Sequence, residues 1–163
     1  MVRGTAANSP RLSLAAVLAT RPGHRPRLIY RTHAGRRSDG RRDRRRKGLT
    51  EADYAALLDA AHQQPGGPIV LVWDNLNTHV SAAMAELIAA RPWLTVFRLP
   101  PYAHELNPVE PVWLHLKRSL ANLTKHTITE LTALVKTRLR RMQYRPGLLD
   151  GFLAIAGLDL SPA

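Results

Sequence analysis

Two carboxylates in this chain stand where the surrounding residues would let them do chemistry. Asp74 ends the apolar run Pro68-Ile69-Val70-Leu71-Val72-Trp73 and is followed by Asn75, Asn77 and His79. Glu110 closes the segment Leu99-Pro100-Pro101-Tyr102-Ala103-His104-Glu105-Leu106-Asn107-Pro108-Val109-Glu110, just inside a helix start. One carboxylate at a buried strand's end and another at a helix start suit a shared Mg²⁺ site. That hard, octahedral ion takes few carboxylates and fills its shell with water and phosphate oxygens. Two-ion phosphoryl chemistry asks for carboxylates converging on cations about 3.5–4 Å apart. Asp74 also satisfies the rule that α/β sheets bind ligands beyond the carboxyl ends of their strands. On the following helix, an advance of roughly 100° per residue puts Glu110 and Lys117 on one face, about a quarter-turn from Val112, Trp113 and Leu116. A helix docked by that apolar stripe can aim Glu110 at Asp74 and lay Lys117 along the same groove for a phosphate.

Each of these residues has a plain structural role open to it as well. Asp-Asn after a strand is a common turn start. An Asn-x-x-Glu box explains Glu110 as a helix cap, and capping and metal binding compete for one carboxylate. His79 reads as a helix-start or packing residue, and Trp73 and Trp113 as core.

The elements that would position the carboxylates follow from periodicity. Leu12–Ala19 and Leu28–Thr32 read as strands joined by the turn Arg21-Pro22-Gly23-His24-Arg25-Pro26, which makes a hairpin. A charge run follows: Arg36, Arg37, Arg41, Arg42, Arg44, Arg45, Arg46 and Lys47, relieved by Asp39 and Asp43. It is a solvated loop over 33–48 first and a DNA-contacting arm second. Thr50 is an N-cap for a helix with Tyr54, Leu57, Leu58 and Ala61 inward. Ile69–Trp73 is apolar throughout, the pattern of a central parallel strand covered on both faces. Val80, Met84, Leu87, Ile88 and Arg91 mark one helix, and Leu94–Phe97 a strand. Asn107 as N-cap, Pro108 at the first helical position and Glu110 three after the cap open the next helix. Its stripe is Val109, Val112, Trp113, Leu116 and Leu120. Thr127 and Glu130 open another with Leu131, Leu134, Val135, Leu139 and Met142 inward, and Pro146–Ile155 forms a last short helix. The expected architecture is α/β, with residues 1–10 a disordered leader and 11–160 one domain.

Composition narrows the function classes. The 163 residues hold 24 Lys+Arg against 12 Asp+Glu, a net charge of +12. That excess calls for a polyanionic partner, nucleic acid first. Membrane surfaces and ribosomal RNA stay open on charge alone. The absence of cysteine excludes disulfides and Cys-based zinc sites. No apolar run approaches the roughly 20 residues of a membrane span, and no secretory signal is visible. An intracellular, cytoplasmic protein is expected. The preference for Arg over Lys fits a GC-rich genome.

Asp-Asn-x-x-x-His after an apolar strand, then about 35 residues later Leu-Pro-Pro-Tyr-Ala-x-Glu-Leu-Asn-Pro-Val-Glu-x-Val-Trp, is similar to the mariner-type DDE transposases of bacterial insertion sequences. The resemblance runs from about Leu12 to Leu160 and is most specific over Leu99–Trp113. It implies an RNase H-like fold with strand order 3-2-1-4-5, and Mg²⁺- or Mn²⁺-dependent DNA cleavage and strand joining at transposon ends. Asp74 becomes the second acidic residue of the triad and Glu110 the third, both as catalytic and metal ligands, while His79, Asn107 and Pro108 match motif positions. Arg36, Arg37, Arg41, Arg42, Arg44, Arg45, Arg46, Lys47, Lys117 and Arg118 become DNA contacts. The implied partners are transposon-end and target DNA, an upstream transposase fragment and a second copy in a homodimer. The implied location is the bacterial cytoplasm, at the nucleoid.

The chain also departs from that family. The first catalytic Asp belongs on a central strand before the hairpin, and no acidic residue precedes Leu12; Asp39, Asp43, Glu51, Asp53 and Asp59 come too late. His104 stands where the pattern has Pro. The expectation is therefore a C-terminal part of a transposase, without its first strand and inactive alone. Its two neighbouring strands would then pair with each other, take a strand from elsewhere, or fold poorly. A rival expectation is a DNA-binding protein without catalysis, such as a regulator of transposition. An RNA-binding accessory protein would rest on charge alone and leave Leu99–Trp113 unexplained.

Overall fold

The computed structural model describes residues 11–35, 48–64, 66–121 and 127–158. The leader and Arg36–Lys47 lie outside the described residues. The chain is α/β, with two separate two-stranded sheets and six α-helices among those residues.

The expected hairpin forms. Strand β1 (Arg11–Ala19) pairs antiparallel with β2 (Arg27–Gly35), Val17 opposite Ile29 and Ala16 opposite Tyr30. Its turn closes with His24 N–H donating to the Arg21 carbonyl, and Gly23 takes φ 75°, the value that a Pro-Gly turn reserves for glycine. β2 runs on through Gly35, so the loop expected over 33–48 yields its first residues to the strand.

Alternation sends the hairpin's side chains two ways. Ala15, Val17 and Ile29 meet Leu57 and Ala61 of α1 (Glu51–His62). Leu12, Leu14, Leu18, Leu28 and Tyr30 meet three C-terminal helices: α4 (Glu110–Leu120), α5 (Ile128–Gln143) and α6 (Pro146–Ile155). Val112, Leu139 and Leu149 are fully buried there. The Gln143 amide fixes this layer by donating to the Leu28 carbonyl at 2.6 Å.

The second sheet is a parallel pair, β3 (Ile69–Trp73) with β4 (Leu94–Arg98), linked by α2 (Asn77–Val80) and α3 (Ala82–Ala89). Leu71, Trp73 and Leu94 are buried with Leu58 of α1 and Met84 of α3, and Val17 of β1 packs into the same cluster. The other face is bare: Val70 is 67% exposed, Val72 50% and Phe97 57%. The expectation of a central strand covered on both faces is thus corrected. Among the described residues β3 has a hydrogen-bonded strand neighbour only in β4, and the C-terminal helices pack on the hairpin instead. β1 and β3 do not pair with each other among the described residues, so the expected alternative in which they do is not what forms.

The single helix expected from Val80 to Arg91 is two. Ser81 is extended (φ −67°, ψ 154°), which breaks the helix, and its hydroxyl caps α3 by accepting from Met84 N–H in place of the missing intrahelical partner.

A candidate active site at the end of β3

Asp74 follows the last residue of β3, and its placement is built by the elements around it. The Asn75 amide donates to the Leu99 carbonyl at 2.9 Å and Leu99 N–H to the Trp73 carbonyl at 2.8 Å, so the carboxyl ends of β3 and β4 are tied together. Between them opens a cleft of about 280 Å³, lined by Asp74, Asn75, Leu76 and the segment from Leu99 to Ala103. The Asp74 side chain is 36% exposed. It lies at the sheet position where ligands are bound in α/β folds.

Asp74 acts partly as the turn residue that its sequence context suggests. Its Oδ1 accepts from Leu76 N–H at 3.3 Å. The stronger contact is one that the sequence reading left to packing: His79 Nδ1 lies 2.8 Å from Asp74 Oδ1 and 3.2 Å from the Asp74 carbonyl. The imidazole is buried, stacked on Trp73 (centroids 4.1 Å, planes 3° apart) and met edge-on by Tyr54 at 4.8 Å. Burial raises the Tyr54 phenol above its ordinary 10.0, and the negative charges of Asp74 and Asp53 add to the rise. The sequence signal for the pair is the five-residue step from Asp74 to His79 across a chain reversal. The Trp73–His79 stack depends on how that reversal closes, which spacing alone does not reveal.

Tyr102 was missed too. It is 91% exposed on the rim of the cleft with φ 65°, a left-handed backbone that non-glycine side chains rarely take. It lines the same cleft as Asp74, so an exposed aromatic ring stands beside the acidic residue.

Glu110 sits at the first residue of α4, exposed, and is not among the cleft-lining residues. The expected capping box does not form around it. Asn107 Oδ1 instead accepts from Val109 N–H at 3.1 Å and the Asn107 carbonyl from Glu110 N–H at 3.0 Å, so a tight turn precedes the helix and Pro111, not Pro108, lies in its first turn. The Glu110 carboxylate makes no hydrogen bond or ion pair among the described residues. Elsewhere capping does consume the acid: Asp53 accepts from Thr50 N–H at 3.0 Å, and Glu130 from Thr127 N–H at 2.8 Å. Glu110 is thereby left available for a ligand. Lys117 and Arg118 are exposed near the far end of α4, and Arg36–Lys47 fall outside the described residues.

The donors fit a divalent cation in kind and fall short in number. Asp74 offers a hard oxygen on an open cleft, and Glu110 is a free carboxylate. Among the described residues, however, no three His, Cys, Asp or Glu side chains cluster closely enough to enclose a metal ion. No described helix is long and apolar enough to cross a membrane.

No curated protein matches the chain. The sequence model of the DDE superfamily endonucleases matches residues 41–134, a span that contains both Asp74 and Glu110 and more than half of the chain. It starts after the hairpin and stops within α5. The chain is a member of the DDE superfamily endonuclease family.

Proposed function

We propose that this chain is the catalytic domain of a mariner-type transposase of a bacterial insertion sequence, RNase H-like in fold and acting on DNA ends. The observation that carries the reading is the family match across 41–134, with Asp74 fixed at the mouth of an open cleft at the carboxyl end of β3. Asp74 and Glu110 would hold Mg²⁺ or Mn²⁺. Such an ion, when bound, stabilises the charge that develops on a phosphodiester undergoing displacement. The chain's own residues do the rest: Asp74 is oriented by its neighbours, Glu110 is held free of capping, and the cleft admits a strand end. Lys117, Arg118 and the run Arg36–Lys47 supply phosphate contacts, which position DNA without reading its sequence and weaken steeply with salt.

A third carboxylate is needed, and we place it on a strand inserted between β1 and β3. Two observations support this. Among the described residues β1 is bonded only to β2 and β3 only to β4, so each has an edge that no described strand pairs. Val17 of β1 and Leu71 and Trp73 of β3 nevertheless share one core cluster. An upstream segment, in the same chain or as a separate fragment, would pair with both edges.

A second reading, a DNA-binding regulator without catalysis, is favoured by the lack of a three-carboxylate cluster among the described residues. One assay separates the two. Nicking of transposon-end DNA with Mg²⁺ or Mn²⁺ is followed for the chain alone, for the chain with an Asp-bearing upstream strand, and for that combination carrying Glu110→Ala. We expect activity only in the second. DNA binding with no nicking in any combination would establish the regulator. Nicking by the unaided chain, lost on Asp74→Ala, would place the third ligand within the present sequence.

A further inference from the structure

We infer that His79 is a positioning residue for Asp74, fixing which carboxylate oxygen faces a bound ligand. The inference rests on the reading of Asp74 as a cation ligand and adds a residue to that site.

The imidazole has little freedom. One face lies parallel to Trp73 at 4.1 Å, the edge of Tyr54 closes on it at 4.8 Å, and the residue is 9% exposed. Its two nitrogens differ sharply. Nδ1 is 2.8 Å from Asp74 Oδ1, whereas Nε2 is buried without a hydrogen-bond partner among the described residues. A carboxylate only accepts, so the nitrogen beside it carries the proton, and a second N–H at Nε2 would be buried with nothing to receive it. Nδ1 is therefore the nitrogen that donates to Asp74. Because Nε2 is sealed from solvent, it is not itself open to a cation.

The consequence falls on Asp74. Oδ1 takes the His79 and Leu76 hydrogen bonds, and Oδ2 is left with no partner among the described residues, on a side chain that lines the cleft. An unrestrained carboxylate spends part of its time with the wrong oxygen forward. A buried donor removes that freedom before the ligand arrives, as supporting hydrogen bonds generally do for metal-ligating side chains.

The test uses the whole chain and Mn²⁺ alone as probe, with binding followed by the ion's electron paramagnetic resonance signal. His79→Phe keeps an aromatic ring on Trp73 but has no donor, while His79→Asn returns an amide N–H near the Nδ1 position and gives up the stack. We expect His79→Phe to melt like the parent yet bind Mn²⁺ about 10–100-fold more weakly, the range seen when such supporting partners are removed. His79→Asn should recover most of the affinity despite a lower melting temperature. Nitrogen-15 shifts should show the His79 proton on Nδ1. Equal Mn²⁺ affinity in His79→Phe and parent, or a proton on Nε2, would overturn the positioning role and leave the metal reading intact. Parent binding that does not change on Asp74→Ala would overturn the metal reading, and the positioning role with it.

Discussion

The β1–β2 hairpin and the β3–β4 ribbon are built from comparably apolar strands, yet they end up in different surroundings. The hairpin is covered twice, by α1 on one face and by α4–α6 on the other. The ribbon is covered once, leaving Val70, Val72 and Phe97 in solvent. Valine and phenylalanine are among the residues most often buried, and a contiguous apolar patch on a sheet face marks a surface meant to be occupied. Among the described residues the ribbon is thus the sheet with one uncovered face. It is also the part that carries Asp74.

The largest expected effect tests that asymmetry by stability. Leu139 is fully buried between the hairpin and the C-terminal helices, so Leu139→Ala should lower unfolding free energy by about 2–5 kcal/mol. Val72→Thr keeps the β-branched shape on the bare face and should stay within about 0.5 kcal/mol. Urea unfolding of both variants decides the matter. A cost for Val72→Thr approaching that for Leu139→Ala would mean that the ribbon's outer face is covered in solution, and the comparison would fail.

The hairpin was legible in the sequence because its information is local. Pro22-Gly23 specifies the turn, the apolar strand-like runs on either side specify the strands, and both survive without knowledge of the rest of the fold. The capping pairs Thr50/Asp53 and Thr127/Glu130 were legible for the same reason. The ribbon's surroundings were not. An unbroken apolar run such as Ile69–Trp73 says that a strand is suited to two covered faces, but not whether two covers are present. Asn107-Pro108-Val109-Glu110 carries a capping signature whose Glu is not used for capping, because a two-residue side-chain turn from Asn107 to Val109 satisfies the backbone first. At the site, Asp74 and Glu110 could be picked out as carboxylates in suggestive contexts. The His79 contact required three aromatic and acidic side chains to meet across a reversal, a tertiary event with no period to read.

A smaller effect sharpens the covered side of the ribbon. Asp59 on α1 grips Arg91 after α3 through two bonds of 2.7 Å, holding together the helices that cover β3's inner face. The guanidinium's hydrogen bonds keep the Asp59 carboxyl below its ordinary 3.8. A carboxyl with a lowered folded-state pKa adds stability at pH values above its unfolded value and loses it as pH falls through the folded value. Asp59→Asn should therefore cost about 1 kcal/mol or less near neutrality, the pair being partly exposed, and the difference from the parent should vanish as the pH drops from 3.8 through the lowered folded value. Thermal melts across that acid range give the answer. A gap that persists at the acid end would mean that the substitution acts through packing of α1 against α3 rather than through the ion pair.

The smallest effect compares how the two regions pay for a left-handed backbone. The hairpin uses Gly23 at φ 75°, where an added Cβ would meet nothing within 4 Å. The loop leaving the ribbon uses Tyr102 at φ 65°, with its side chain bare. A side chain in this conformation costs roughly 1–2 kcal/mol, and replacing it with glycine returns about 0.5–1 kcal/mol of that as extra freedom of the unfolded chain. Gly23→Ala should therefore destabilise by up to about 1 kcal/mol, and Tyr102→Gly should stabilise by a similar or smaller amount. Tyr102→Ala separates backbone from side chain, since alanine suffers the same strain and should leave stability nearly unchanged. Differential unfolding of the three variants in one buffer resolves shifts of this size. Opposite signs at the two glycine-related sites would show that the cleft rim stores strain that the hairpin avoids. A loss of stability in both Tyr102→Gly and Tyr102→Ala would show that the tyrosine ring is packed in solution, and that the rim beside Asp74 is not as open as the ribbon's bare face suggests.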